Sequence, residues 1–147
     1  MEKKKFSKEE KHEYFVALRE EWQKSKALAE NDMEAEALFR EAGKKGTSYF
    51  GFYFVYKQMK ANKFEGLPYV DSKTFQGWRE NGFKVKKGEK SKIYGITWIA
   101  VKKDGKENSK DEDDIDFMYP KVYHLFHRSQ VEELEAKKVP NIQLASN

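Results

Sequence analysis

The segment from Tyr49 to Met59 constrains the fold of this chain more than any other. Eight of its eleven residues are aromatic, valine or methionine, so nearly every face of the segment is apolar. Aromatic residues are also frequent in strands, but an apolar run of this length favours a helix that is buried on several sides. The polar residues 44–48 before it predict a turn with a hydroxyl N-cap. We therefore expect the core helix here, with its end near Asn62.

The first 46 residues carry two further helix signals. Ser7 and Glu10 have the spacing of a capping box, in which a hydroxyl and a carboxylate satisfy each other's backbone donors. A narrow apolar stripe follows on an otherwise charged helix. Asn31 and Asp32 repeat the capping signal before a second apolar stripe. We therefore expect an N-terminal helical extension, a helical hairpin, over residues 1–46.

The remaining residues to about 138 predict a sheet packed by helices. Residues 92–103 alternate and are rich in β-formers, and Met118 to His127 alternates as well, so both are predicted strands. Thr74 predicts the N-cap of a short helix, and Phe83–Val85 is a short extended piece. Ser129 begins a third capping box and predicts another short helix. The expected fold class is α+β, with a small antiparallel β-sheet packed by helices over residues 47–138, followed by a C-terminal tail over 139–147.

Residue types that could carry catalysis or bind metal are scarce. The chain has no cysteine, which excludes disulfides, thiolate metal sites and a cysteine nucleophile. His124 and His127 are three residues apart, and on a strand this places their rings on opposite faces. No glycine-rich phosphate loop is present, and the carboxylates cluster only in a polar loop where nothing desolvates them. We expect no enzyme active site, no metal site and no cofactor.

Charge is distributed very unevenly along the chain. The net charge is only +4, yet residues 73–103 hold nine basic and two acidic side chains. Residues 104–116 hold two basic and seven acidic side chains and predict a solvated acidic loop. The modest net charge therefore hides a basic block beside an acidic one.

The basic block interleaves lysines with aromatic residues, the combination that binds single-stranded nucleic acid. Cations neutralise phosphates, and flat rings stack on unpaired bases. Gly88 lets backbone amides approach a phosphate, and Glu89 is expected to pair with a lysine. The alternative is a solvated loop, with rings such as Trp98 and Phe83 in the core. The candidate binding residues are Lys73, Trp78, Arg79, Lys84, Lys86, Lys87, Lys90 and Tyr94.

Five stretches of the sequence, taken together, resemble a known family. They are Tyr49–Phe52, Thr74–Trp78, Asn81–Lys90, Tyr123–Phe126 and Gln130–Leu134, of which the glycine, valine and Gly-Glu-Lys pattern of Gly82 to Lys90 is the most specific. The chain is similar here to the N-terminal domain of ArdC-type antirestriction proteins. The similarity covers about residues 47–135.

The resemblance implies a function, but it extends to only one of the two domains of ArdC-type proteins. ArdC-type proteins join a single-stranded-DNA-binding domain to a metallopeptidase-like domain, and they are carried by plasmids, conjugative elements and phages. The metallopeptidase domain has no counterpart in this sequence, and Tyr53 and Ser72 depart from the family pattern. The resemblance implies non-enzymatic binding of single-stranded DNA by a mobile-element protein.

The partner expected from these patterns is single-stranded DNA, with RNA as the other strand type. The alternative function is a protein-binding inhibitor of a host nuclease or defence protein, acting through the acidic loop or the N-terminal helices.

No stretch is apolar enough for a membrane span and no signal-peptide pattern is present, so we expect a cytoplasmic protein with no membrane partner. The sequence does not indicate an oligomeric state.

Overall fold

The computed structural model describes residues 7–42, 46–103 and 115–134, without the side chains of residues 115 and 116. The chain divides into two compact units. The first unit holds residues 1–57 and 95–123, and the second unit holds residues 58–94 and 124–147. The acidic side chains of residues 104–116 and the tail 139–147 lie outside what the structure describes.

The N-terminal helical hairpin is confirmed in the first unit. Helix α1 spans Lys8–Ala29, and Ser7 and Glu10 form the predicted capping box. Helix α2 spans Met33–Ala42, and a side-chain oxygen of Asp32 accepts a hydrogen bond from the Ala35 amide at 2.9 Å. Both starts were predictable because a cap depends only on residues three positions apart.

Helix α3, Tyr49–Ala61, is the predicted core helix. Ser48 provides the expected hydroxyl cap, since its Oγ accepts from the Gly51 amide at 3.0 Å. Phe52 and Val55 are fully buried. Within the first unit, the ring of Trp22 lies 5.5 Å from that of Phe54, a separation typical of packed aromatic pairs.

The two predicted long strands are present, so the α+β fold class is confirmed. Strand β3 spans Ile93–Lys102 and strand β4 spans Ile115–His127. They join the short strand β1, Ser72–Lys73, in an antiparallel sheet of order β1-β4-β3. β1 is paired with the end of β4, with Ser72 opposite His127 and Lys73 opposite Phe126.

The second unit also contains a short helix and a separate two-stranded sheet. Helix α4 spans Phe75–Glu80, with the predicted Thr74 cap accepting from the Gly77 amide at 3.0 Å. Strand β2, Phe83–Val85, pairs antiparallel with strand β5, Val131–Glu133. Among the described residues, no helix is long and apolar enough to cross a membrane.

The short helix predicted from Ser129 is wrong over the described residues. A 3-10 turn at Arg128–Gln130 leads directly into β5, and the cap of this turn is His127. Gln130 Oε1 accepts from the His127 amide at 2.9 Å, so the capping box forms two residues earlier than predicted. Val131 then lies opposite Val85 and is buried, because pairing with a distant strand outweighs the local helix signal.

Candidate nucleic-acid interface

All eight residues predicted to contact nucleic acid lie in the second unit. The described part of this unit holds ten lysine and arginine residues against six aspartate and glutamate residues. The described part of the first unit is close to neutral, with ten against eleven. The excess of positive charge therefore belongs to the unit that carries the candidate residues.

The centre of the candidate site is the turn over residues 86–90, called here the lysine turn. It follows β2 directly, and the Lys86 amide donates to the Gln130 carbonyl at 2.9 Å. The Glu89 amide then donates to the Lys86 carbonyl at 3.1 Å and closes the turn. Gly88 has a φ of +88°, in the left-handed region that glycine adopts without strain. Apart from Gly88 itself and its two chain neighbours, no residue has a heavy atom within 4 Å of the position of a Cβ at Gly88, so the backbone is open to a ligand on that side.

The side chain of Gln130 holds the lysine turn in place. Its Nε2 donates to the Lys90 carbonyl at 2.8 Å and to Glu89 Oε1 at 3.0 Å. Its Oε1 accepts a hydrogen bond from the His127 amide. Gln130 is only 2% exposed, so the side chain that makes these hydrogen bonds lies inside the fold, while Glu89 and Lys90 lie at the surface. The sequence led us to expect a lysine partner for Glu89, and the structure corrects this, because the carboxylate is bonded to Gln130.

The lysines of the lysine turn, and Lys84 of β2 before it, differ in the partners that hold their ammonium groups. Lys86 Nζ donates to the Ser129 carbonyl at 3.2 Å, and Lys84 Nζ lies 3.8 Å from a carboxylate oxygen of Glu132. Lys87 and Lys90 are exposed, and neither pairs with a carboxylate of the described residues. These two ammonium groups carry the charge that an external phosphate would meet.

The two flanking candidate residues, Lys73 and Arg79, differ in their contacts and in their exposure. Lys73 Nζ donates to the Tyr69 carbonyl at 3.1 Å and lies 5.5 Å from the centre of the Trp78 ring, so it contributes to the packing of α4. Arg79 is exposed, and its guanidinium lies 5.8 Å from the centre of the Phe75 ring. Of these two cations, Arg79 is the more exposed, since Lys73 is half-buried.

The structure places Trp78 in the core. Its side chain is 5% exposed, its Nε1 donates to the Phe126 carbonyl at 2.7 Å, and its ring packs edge-on against Phe83. A base has no access to this ring, so Trp78 is a structural residue in this conformation. Tyr94 is half-buried, and its backbone amide and carbonyl both bond to the Gln58 side chain, at 3.0 and 2.7 Å.

One exposed aromatic residue of the second unit was not among the residues predicted from the sequence. Phe75, the first residue of α4, is 50% exposed and lies beside the guanidinium of Arg79. The signal was present, because residues four apart share one face of a helix, and Phe75 and Arg79 have that spacing. The sequence analysis had instead named Trp78, three residues from Phe75, as a candidate binding residue.

The histidines do not form a metal site with other described residues. His127 is 3% exposed, its Nε2 lies 2.7 Å from the Glu65 carbonyl, and its ring stacks on Phe64 at 4.4 Å. His124 is exposed. The described residues contain no group of three or more side chains able to hold a metal ion.

Comparison with models of protein families, with curated proteins and with solved structures finds no match.

Proposed function

We propose that this protein binds single-stranded DNA without catalysing a reaction, and that the lysine turn is the main phosphate contact. The observation that carries the proposal is the anchoring of this turn by the buried Gln130 side chain. The anchor fixes the backbone while Lys87 and Lys90 remain exposed and unpaired with any described carboxylate. A preformed cationic turn loses little conformational entropy when it binds a phosphate.

The spatial arrangement of the segments that resemble ArdC-type proteins supports the same function. Gly82–Lys90 and Gln130–Leu134 are far apart in sequence, yet β2 and β5 pair and Gln130 bonds to the lysine turn. The Leu134 amide donates to the Gly82 carbonyl at 3.0 Å and extends the pairing. Two segments that were singled out for their similarity to one DNA-binding domain thus build one local structure. By that resemblance, we propose that the protein is an antirestriction-like product of a mobile element.

A single strand is favoured over a duplex because an exposed ring accompanies the cations. Phe75 and Arg79 present a flat face and a positive charge together on α4. Unpaired bases stack on such rings, whereas the bases of a duplex are already stacked on one another. We assign Phe75 the stacking role in the second unit that the sequence had suggested for Trp78.

Salt dependence tests the proposal directly. Affinity for a fluorescent oligothymidine, followed by anisotropy, should fall steeply between about 50 and 200 mM salt. The double variant Lys87→Ala/Lys90→Ala should bind more weakly and lower the slope of log K against log salt by about 1.4, since each phosphate contact on a single strand contributes about 0.7. Lys86 is left intact because it also bonds to the Ser129 carbonyl.

The matched control removes the same charge from the first unit. Lys24 and Lys57 are both exposed, so Lys24→Ala/Lys57→Ala changes the net charge equally. It should leave the slope close to that of the wild type. Absence of binding at about 50 mM salt, or equal effects of the two double variants, would refute the proposal. A duplex and an oligouridine of the same length measure the preference for single-stranded DNA.

A further inference from the structure

An aromatic groove lies within the first unit, between one face of α1 and the start of β4. Its volume is about 730 Å³, within the range of roughly 300–1,000 Å³ that is typical of small-molecule clefts. Every apolar residue among its described lining is aromatic: Tyr14, Phe15, Phe117 and Tyr119. Phe117 and Tyr119 alternate along β4, and so they share a face of the strand.

Three rings of the groove, those of Tyr14, Phe15 and Tyr119, form a continuous series, and the rings of Tyr14 and Phe117 are open to solvent. The Tyr14 and Phe15 rings are 5.7 Å apart, and the Phe15 and Tyr119 rings are 5.9 Å apart. Tyr14 is 46% exposed and Phe117 is 51% exposed. Exposed large rings that cluster in a concave site indicate a surface that binds a ligand or a partner.

The polar residues of the groove are all basic. Lys11, His12 and Arg19 complete its described lining, and no described lining residue is acidic. Arg19 Nη2 donates to the Met118 carbonyl at 3.0 Å, which fixes the guanidinium beside β4. The groove therefore suits a ligand with flat apolar groups and negative charge.

We propose that the bases of a single-stranded nucleic acid stack in this groove, an inference that rests on the proposed function. A strand offers planar rings to the aromatic residues and phosphates to Lys11 and Arg19. A docking peptide helix would instead insert aliphatic anchors into a hydrophobic groove, and the described lining contains no aliphatic side chain. The groove includes α1, which lies outside the segments that resemble ArdC-type proteins.

Removal of one exposed ring tests the inference. Phe117→Ala should weaken binding of an oligothymidine roughly tenfold, as expected for the loss of one stacking contact. It should leave unchanged the affinity for an abasic strand of the same length, which keeps the phosphates and lacks the bases. Leu28→Ala is the matched control, because Leu28 is also 51% exposed and lies on α1 of the same unit. It should bind both strands as the wild type does.

The outcomes separate this inference from the proposed function. If the wild type binds oligothymidine and Phe117→Ala binds it equally well, the groove does not hold bases, as expected if its occupant is a peptide, and the function of the lysine turn stands. If Phe117→Ala weakens binding of the abasic strand as much as that of oligothymidine, base stacking is also refuted. If the wild type binds neither strand at low salt, the proposed function fails, and this inference fails with it.

Discussion

The side-chain amide of Gln130 donates a hydrogen bond of 2.8 Å to the backbone carbonyl of Lys90, forty residues earlier in the chain. The same amide nitrogen donates to the Glu89 carboxylate, and its oxygen accepts from the His127 amide. One buried side chain therefore links the lysine turn to the strand pair β2–β5 and to the end of β4.

Gln130→Ala should destabilise the second unit and weaken binding. The variant leaves the Lys90 carbonyl and the His127 amide without these partners, which costs about 1–3 kcal/mol in the free energy of unfolding. Oligothymidine affinity should also fall, although every lysine is retained, because the turn is no longer held. Urea denaturation and anisotropy measure the two effects. Gln76→Ala, at an exposed glutamine, is the control and should change the free energy of unfolding by less than about 0.5 kcal/mol.

Trp78→Phe should affect stability and leave binding unchanged. The variant loses the hydrogen bond from Nε1 to the Phe126 carbonyl in a buried site, at a cost of about 1–3 kcal/mol. Phe75→Ala should do the opposite, with weaker oligothymidine binding and little change in thermal stability. A Trp78→Phe protein with full stability and reduced affinity would show that the ring contacts the strand.

Gly95→Ala should destabilise the first unit because there is no room for a Cβ. A Cβ at this position would overlap Cζ and Oη of the Tyr123 ring. Overpacking of this kind costs about 1–3 kcal/mol. The double variant Gly95→Ala/Tyr123→Leu should be more stable than the sum of the single effects by at least about 0.5 kcal/mol. Strict additivity in urea denaturation would show that the two residues are not in close contact.

The tyrosines at the start of α3 should make stability sensitive to alkaline pH. Burial, with the nearby Asp32 carboxylate, raises the pKa of Tyr49 and of Tyr53 above the ordinary value of 10.0. The folded state therefore keeps these phenolic protons at a pH where the unfolded chain loses them. The stability that they contribute is fully present below about pH 10 and is lost as the pH rises above it.

Tyr49→Phe should reduce this sensitivity. At pH 7 the variant loses the hydrogen bond from the phenol to the Ala29 carbonyl, so it should be less stable by about 0.5–1.5 kcal/mol. The gap to the wild type should narrow above pH 10 in urea denaturation, because one of the two linked groups is gone. Phe50→Leu changes a neighbouring ring without an ionisable group, and its effect should not depend on pH. A gap that widens with pH would contradict the assignment.

The sequence predicted correctly those secondary-structure elements that are stabilised by residues close to one another in the chain. Ser7 and Thr74 cap helices because the amides that they accept from lie three residues away. The signal at Ser129 failed because the partner of β5 is β2, almost fifty residues earlier, and no local pattern reports that pairing. The position of the lysine turn was predictable from charge, but its anchoring by Gln130 was not.

The burial of aromatic residues was the least predictable feature of the candidate site. Trp78 and Phe75 lie on one short helix, and the sequence alone does not say which ring faces inward. The choice follows from the Phe126 carbonyl on β4, which accepts the indole hydrogen and holds Trp78 inside. Phe75 is left outside as a consequence.

The backbone conformation of Gly88 suits a D-residue better than an L-residue. Its φ of +88° disfavours any L-residue, yet space for a side chain is free at this position. A D-residue has the mirror-image preference, so D-alanine introduced at position 88 by chemical synthesis matches the backbone φ of this residue and restricts the unfolded chain. The backbone conformation of the turn, and not the space around it, therefore discriminates between mirror images of the same amino acid.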